Sequence, residues 1–83
     1  MMSDALNSMG QVRVVLVRPR VSGNVGSVAR VMENFQAGAL HLVSPKADPS
    51  SREAMQQSTR GEHRLRSARV VPTLAEALEG VVF

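Results

Sequence analysis

The sequence predicts an α/β fold with a mostly parallel sheet and flanking helices, and three observations carry that expectation. Short strand-like runs alternate with stretches of helical periodicity in the order strand, helix, strand, helix, strand, helix. Gly and Pro punctuate the joints. The first apolar run, Val12 and Val14 to Val17, is nearly continuous rather than alternating, which is the pattern of a strand buried on both faces and hence of a parallel sheet with right-handed crossovers.

Arg18-Pro19 closes that first strand. After a Gly-containing loop, Val25, Val28, Ala29, Met32 and Phe35 recur at spacings of three and four, drawing one apolar stripe along a helix that starts near Asn24 and stops at Gly38. Ala39 to Val43 reads as the second strand, ended by Ser44-Pro45. Asp48 is the expected N-cap of the next helix, with Pro49 at its first position, and the helical stretch runs to about Arg60 before Gly61. Ala68 to Val71 reads as a third strand stopped by Pro72. Thr73 and Glu76 have capping-box spacing at the head of a helix over Leu74, Ala75 and Leu78, which Gly80 closes. Val81, Val82 and Phe83 look like the opening of a fourth strand.

With 83 residues the chain makes one small domain or part of one, residues 11–83, behind a flexible tail over residues 1–10. Two aromatic residues, Phe35 and Phe83, offer no platform for stacking nucleic-acid bases. The absence of cysteine excludes a disulfide framework and a thiolate zinc site. His41 falls within a strand, and His63 has no second ligand at zinc spacing, so no metal site is expected. The first ten residues carry Asp4 and no basic cluster, and the run Val14 to Val17 is far shorter than the ~20 residues of a membrane span, so a cytoplasmic protein without membrane contact is expected. The formal charge of +3 rests on nine arginines and one lysine. Guanidinium groups bind phosphate through two parallel hydrogen bonds, which makes an anionic partner plausible, although such a charge also serves plain solubility.

The segment Ser22-Gly23-Asn24-Val25-Gly26-Ser27-Val28-Ala29-Arg30 carries the chemistry. Ligands of open α/β sheets bind at the carboxyl ends of the strands, where helix N-termini offer free N–H groups to anions. Asn24 can cap the helix through its side chain, Gly26 lets a ligand or another backbone come close, and Arg30 stands on the polar face with Asn24, Ser27 and Asn34. A Gly-Asn pair before a helix is, however, most often a turn and a cap. Neither a G-x-G-x-x-G nor a Gly-Lys-Ser/Thr motif is present, which sets aside a dinucleotide site and a P-loop.

The pattern N-x-G-x-x-x-R after a first strand, here Asn24, Gly26 and Arg30, followed by Phe35, Gly38 and a strand ending in Ser44-Pro45, resembles the SpoU-type RNA ribose methyltransferases of the SPOUT superfamily. Gly61, Ala68 to Val71 and Thr73 to Leu78 look like the next strand and helix of that family. The resemblance implies the front part of a trefoil-knot domain, with the knot region missing. It implies transfer of a methyl group from S-adenosyl-L-methionine to a ribose 2′-hydroxyl of tRNA or rRNA, by a homodimer to which the first helix contributes. Cofactor contacts would then lie beyond Phe83, leaving none in this chain, which is expected to be inactive alone. By the same resemblance Asn24 and Arg30 belong to the active site. Arginine stays charged, so Arg30 is expected to fix phosphate and ribose oxygen rather than act as a base, with Asn24 orienting it. RNA contacts are expected from Asn24, Gly26, Ser27 and Arg30. The stretch Arg60, Arg64, Arg66 and Arg69 can add backbone contacts, chiefly through Arg64 and Arg66, unless it is only a solvated loop. The alternative function is a small RNA- or phosphate-binding α/β module without catalysis.

Overall fold

The computed structural model describes residues 10–81. Residues 1–9 of the expected tail over residues 1–10, and the expected strand residues Val82 and Phe83, lie outside the described residues. Three short strands, β1 (Val14–Val17), β2 (Leu40–Val43) and β3 (Arg69–Val71), form one parallel sheet in the order β1-β2-β3. Val14 to Val17 pair with Leu40 to Val43, and His41 to Val43 pair with Arg69 to Val71. Helix α1 (Ser22–Phe35) links β1 to β2. Helix α2 (Arg52–Ser58), a 3-10 turn (Thr59–Gly61) and helix α3 (Glu62–Arg66) link β2 to β3, and the short helix α4 (Leu74–Ala77) follows.

The expected alternation and parallel pairing are present, but burial on both faces belongs to β2, all four residues of which are buried. β1 is an edge strand among the described residues, half-buried, with Val17 at 51% exposure. Because side chains alternate along a strand, Leu40 and Leu42 face one side and His41 and Val43 the other. Leu40 and Leu42 join Val25, Ala29 and Met32 of α1, Ala54 of α2 and Leu65 of α3 in the main core, while Val43 packs with Val71 and Ala77 beneath α4.

Several boundaries differ from the sequence expectation, each for a local reason. Helix α1 begins at Ser22, with Val21 as N-cap and no side-chain capping bond, so Asn24 lies inside the first turn and does not cap. Its end is made by Gln36 in the left-handed conformation at φ 55°, not by Gly38. Gly38 serves instead a close approach to the start of β1: its N–H donates to the Val12 carbonyl at 2.9 Å, and a Cβ there would lie 2.7 Å from that same oxygen. Asp48 makes a turn rather than a cap, accepting from the Ser50 N–H and hydroxyl at 2.9 and 2.6 Å, and Ser51 caps α2 by accepting from the Ala54 N–H. The helix expected to reach Arg60 ends at Ser58, and Glu62 to Arg66, expected as loop, form α3. Phe35 falls off the core and is 61% exposed. The Thr73 cap is as expected, its hydroxyl accepting from the Glu76 N–H at 3.2 Å.

Candidate nucleic-acid interface

Helix α1 is the element that presents the motif residues, and its seating determines which of them reach solvent. Gly26 is buried where α1 crosses α2: a Cβ at this position would collide with the Ala54 carbonyl and lie 2.9 Å from its carbon. Of the two roles the sequence allowed, a neighbouring backbone rather than a ligand occupies this gap. Gly61 repeats the arrangement, its missing Cβ leaving room for the Ala29 carbonyl of α1. Ala54, Ser58 and Gly61, spaced four and three apart and all buried, form a strip of small residues that admits α1 at close range. That spacing was available in the sequence and is the signal that identifies Gly26 as a packing residue.

With that side turned inward, Asn24, Arg30 and Asn34 are exposed on the outer side of α1. Ser27 is half-buried, and its hydroxyl donates back to the Gly23 carbonyl at 3.1 Å. Arg30 enters no hydrogen bond or ion pair among the described residues, and the same holds for the Asn24 side chain. Six residues separate the two, which on a helix is about 9 Å of rise and a rotation of roughly 120°. Asn24 and Arg30 therefore do not meet, so Asn24 does not orient the guanidinium by direct contact.

The second basic stretch divides. Arg64 is a structural residue: its side chain is 11% exposed, its Nε donates to Glu33 Oε1 at 3.0 Å, and its Nη1 donates to the carbonyls of Ala37 and Gly38. It ties α3 to the end of α1 and is not available to a phosphate, contrary to the sequence expectation. His63 shares Glu33 at 2.8 Å, and hydrogen bonds from His63 and then Arg64 hold that carboxyl below its ordinary value. Arg66 remains largely exposed, paired with Glu62 one turn back at 3.0 Å, a contact water screens strongly.

An open concavity of about 460 Å³ lies at the carboxyl ends of the strands, lined by Val17, Arg18, Val43, Ser44, Pro72, Thr73 and Leu74. Neither Asn24 nor Arg30 lines it. Its wall carries a cation and no carboxylate, which suits neither the sulfonium nor the ribose hydroxyls of S-adenosyl-L-methionine. This concavity therefore does not fit the sulfonium and ribose parts of that cofactor.

The profile of the SpoU rRNA methylase family matches residues 11–82. The chain belongs to the SpoU methylase family. Among SpoU-family relatives, it is 40% identical over 72 residues to the tRNA (cytidine/uridine/adenosine-2′-O-)-methyltransferase TrmJ of Pseudomonas aeruginosa, a match that covers 87% of this chain and 28% of that protein. It is 38% identical to the tRNA (cytidine-2′-O-)-methyltransferase TrmJ of Methanocaldococcus jannaschii, covering 87% of this chain and 31% of that one. The chain thus spans less than a third of the length of these two relatives. Among solved structures, a probable methyltransferase from Bordetella pertussis superposes with a TM-score of 0.87 at 32% identity, over 94% of this chain and 47% of that one. TrmJ from Zymomonas mobilis (Z. mobilis ZM4) superposes with a TM-score of 0.74 at 38% identity, over 80% of this chain and 30% of that one. The three-stranded sheet with its helices is therefore part of a SPOUT methylase domain.

Proposed function

We propose that the chain is the front part of a tRNA 2′-O-ribose methyltransferase that uses S-adenosyl-L-methionine, and that by itself it binds RNA without methylating it. The observation that carries this reading is the uncommitted, exposed Arg30 on a helix whose other flank is locked by Gly26 and Gly61, in a chain similar to tRNA 2′-O-methyltransferases. The role of Arg30 is to hold a phosphate and the ribose oxygen as negative charge develops on it, because its guanidinium does not release a proton. Asn24, a turn and a half earlier, and the Ser27 hydroxyl contact the same strand, and Arg66 adds a peripheral phosphate contact. Arg64 and Gly26 take no part, since both are occupied inside the fold.

The same helix supports a homodimer in the complete enzyme. Val31 and Phe35, one turn apart on α1, are 49% and 61% exposed, and a second copy would cover them. rRNA is the second substrate class this reading admits. A cytoplasmic setting follows from a tRNA substrate, and among the described residues no helix is long and apolar enough to cross a membrane.

The decisive test is made in a protein that carries this chain with the remainder of the family's length. Arg30→Lys should lower methyl transfer to tRNA at least 100-fold, measured with labelled methyl donor, while calorimetry shows cofactor affinity unchanged. Near-normal methylation by that variant removes Arg30 from the mechanism. Micromolar binding of S-adenosyl-L-methionine by the 83-residue chain alone contradicts the assignment of the cofactor pocket to residues beyond Phe83.

A further inference from the structure

We propose that Arg18, Arg20 and Lys46 form a cationic ridge across the carboxyl tips of β1 and β2 that grips the sugar-phosphate backbone of RNA. The inference rests on the RNA-directed reading above and supplies it with a contact surface outside the motif. Two loops 26 residues apart bring the three cations together through backbone bonds. The Arg18 N–H donates to the Val43 carbonyl at 2.7 Å, and the N–H groups of Lys46 and Ala47 both donate to the Pro19 carbonyl at 2.9 Å. Residue 46 is thereby held against the proline between the two arginines. The third tip is joined on, with the Ser44 N–H bonded to Val71 and its hydroxyl to the Pro72 carbonyl at 2.8 Å. Arg18 and Ser44, neither of them glycine, are held at φ 49° and 42°, so the ridge is built on constrained backbone.

All three side chains are exposed, and none enters an ion pair or a side-chain hydrogen bond among the described residues. Three of the other seven arginines are committed: Arg13 to the carbonyls of Ala77 and Glu79, Arg64 to Glu33, Arg66 to Glu62. The acidic group on the Lys46 loop is Asp48, whose carboxylate is taken up by Ser50. Three cations face one engaged carboxylate. The neighbouring concavity has no aromatic wall on which a base could stack, so the surface matches the repeating phosphates of a strand rather than its sequence. The ridge leads directly into the first turn of α1, where Asn24 stands.

Fluorescence anisotropy with labelled tRNA, read between 50 and 200 mM salt, tests the ridge on the 83-residue chain. Replacing Arg18, Arg20 and Lys46 together by alanine should weaken binding at least tenfold at 50 mM and reduce the slope of log K against log salt by about 2 to 3. Arg20→Gln alone should reduce it by about 1, which keeps the test open should the triple variant lose its fold by circular dichroism. Arg52→Ala, on α2, should change affinity less than twofold. The ridge is refuted if the wild-type chain does not bind tRNA, if the slope survives the substitutions, if Arg52→Ala weakens binding as much as Arg20→Gln, or if poly-glutamate competes as well as tRNA. Failure of the methyltransferase reading has a different signature: ridge-dependent binding stays intact while the longer protein transfers no methyl group.

Discussion

Among the described residues, nine buried residues form one apolar cluster on the face of the sheet that meets α1, α2 and α3, whereas on the face beneath α4 the buried cluster consists of Val43, Val71 and Ala77. The first face is closed by backbone-to-backbone approach at Gly26 and Gly61 and by the three-way anchor of Arg64. The second is closed by a four-residue helix whose end is held by Arg13, through bonds to the carbonyls of Ala77 and Glu79 at 2.8 and 2.6 Å. It also contains His41, buried, with Nδ1 lacking a hydrogen-bond partner among the described residues. The difference teaches where stability resides. Among the described residues the parallel sheet is supported mainly from the α1 side, and that support fixes which flank of α1 is exposed.

The largest effect should come from truncating the centre of each face. Leu42→Ala, at a fully buried position, should cost about 3 kcal/mol, against about 1.5 kcal/mol for Val71→Ala, compared by urea denaturation. Equal losses would break the comparison. The two arginine anchors give a smaller contrast. Arg64→Met should cost about 2 kcal/mol, because the Ala37 and Gly38 carbonyls lose their donor, while Arg13→Met should cost about 1 kcal/mol, since one of its two bonds lies at the surface. A melting series in which Arg13→Met is the more damaging would reverse the assignment.

The smallest effect is a pH dependence located on the second face. Burial, followed by the charges of Arg13 just before β1 and Arg69 on β3, lowers the His41 pKa below its ordinary 6.5. The unfolded chain then binds more protons than the folded one in the window between the two values, so stability is complete above 6.5 and is lost as pH falls below it. Glu33 acts lower on the scale: its depressed pKa contributes stability above its ordinary 4.5 that is lost as pH falls through the folded value. Urea midpoints at pH 7.5 and 5.5 should therefore differ for the wild-type chain and differ less for His41→Leu. An unchanged difference would place the titration elsewhere.

Much of the architecture was legible without coordinates. The short apolar runs around residues 14–17, 40–43 and 69–71, the stripe of Val25, Ala29 and Met32, and the Thr73 cap each express interactions between residues a few positions apart. The caps at Val21 and Ser51 and the helix over Glu62 to Arg66 were not legible, because short polar segments take their conformation from what they pack against. For the motif residues the sequence indicated exposure better than packing. Asn24 and Arg30 face solvent as the motif suggested, while Gly26 and Arg64 proved to be internal.

By itself the sequence determined the alternation of elements, the parallel class of the sheet and the likeness to SpoU methylases, since periodic burial and local hydrogen bonding are written in neighbouring residues. Tertiary structure alone decided that Gly26 meets Ala54, that Arg64 closes on the end of α1, and that the Lys46 N–H bonds to the Pro19 carbonyl. These partners lie 26 to 31 positions apart in sequence. Only the folding of the chain across the sheet brings them within reach, and no local pattern records which distant group will fill a gap or satisfy a charge.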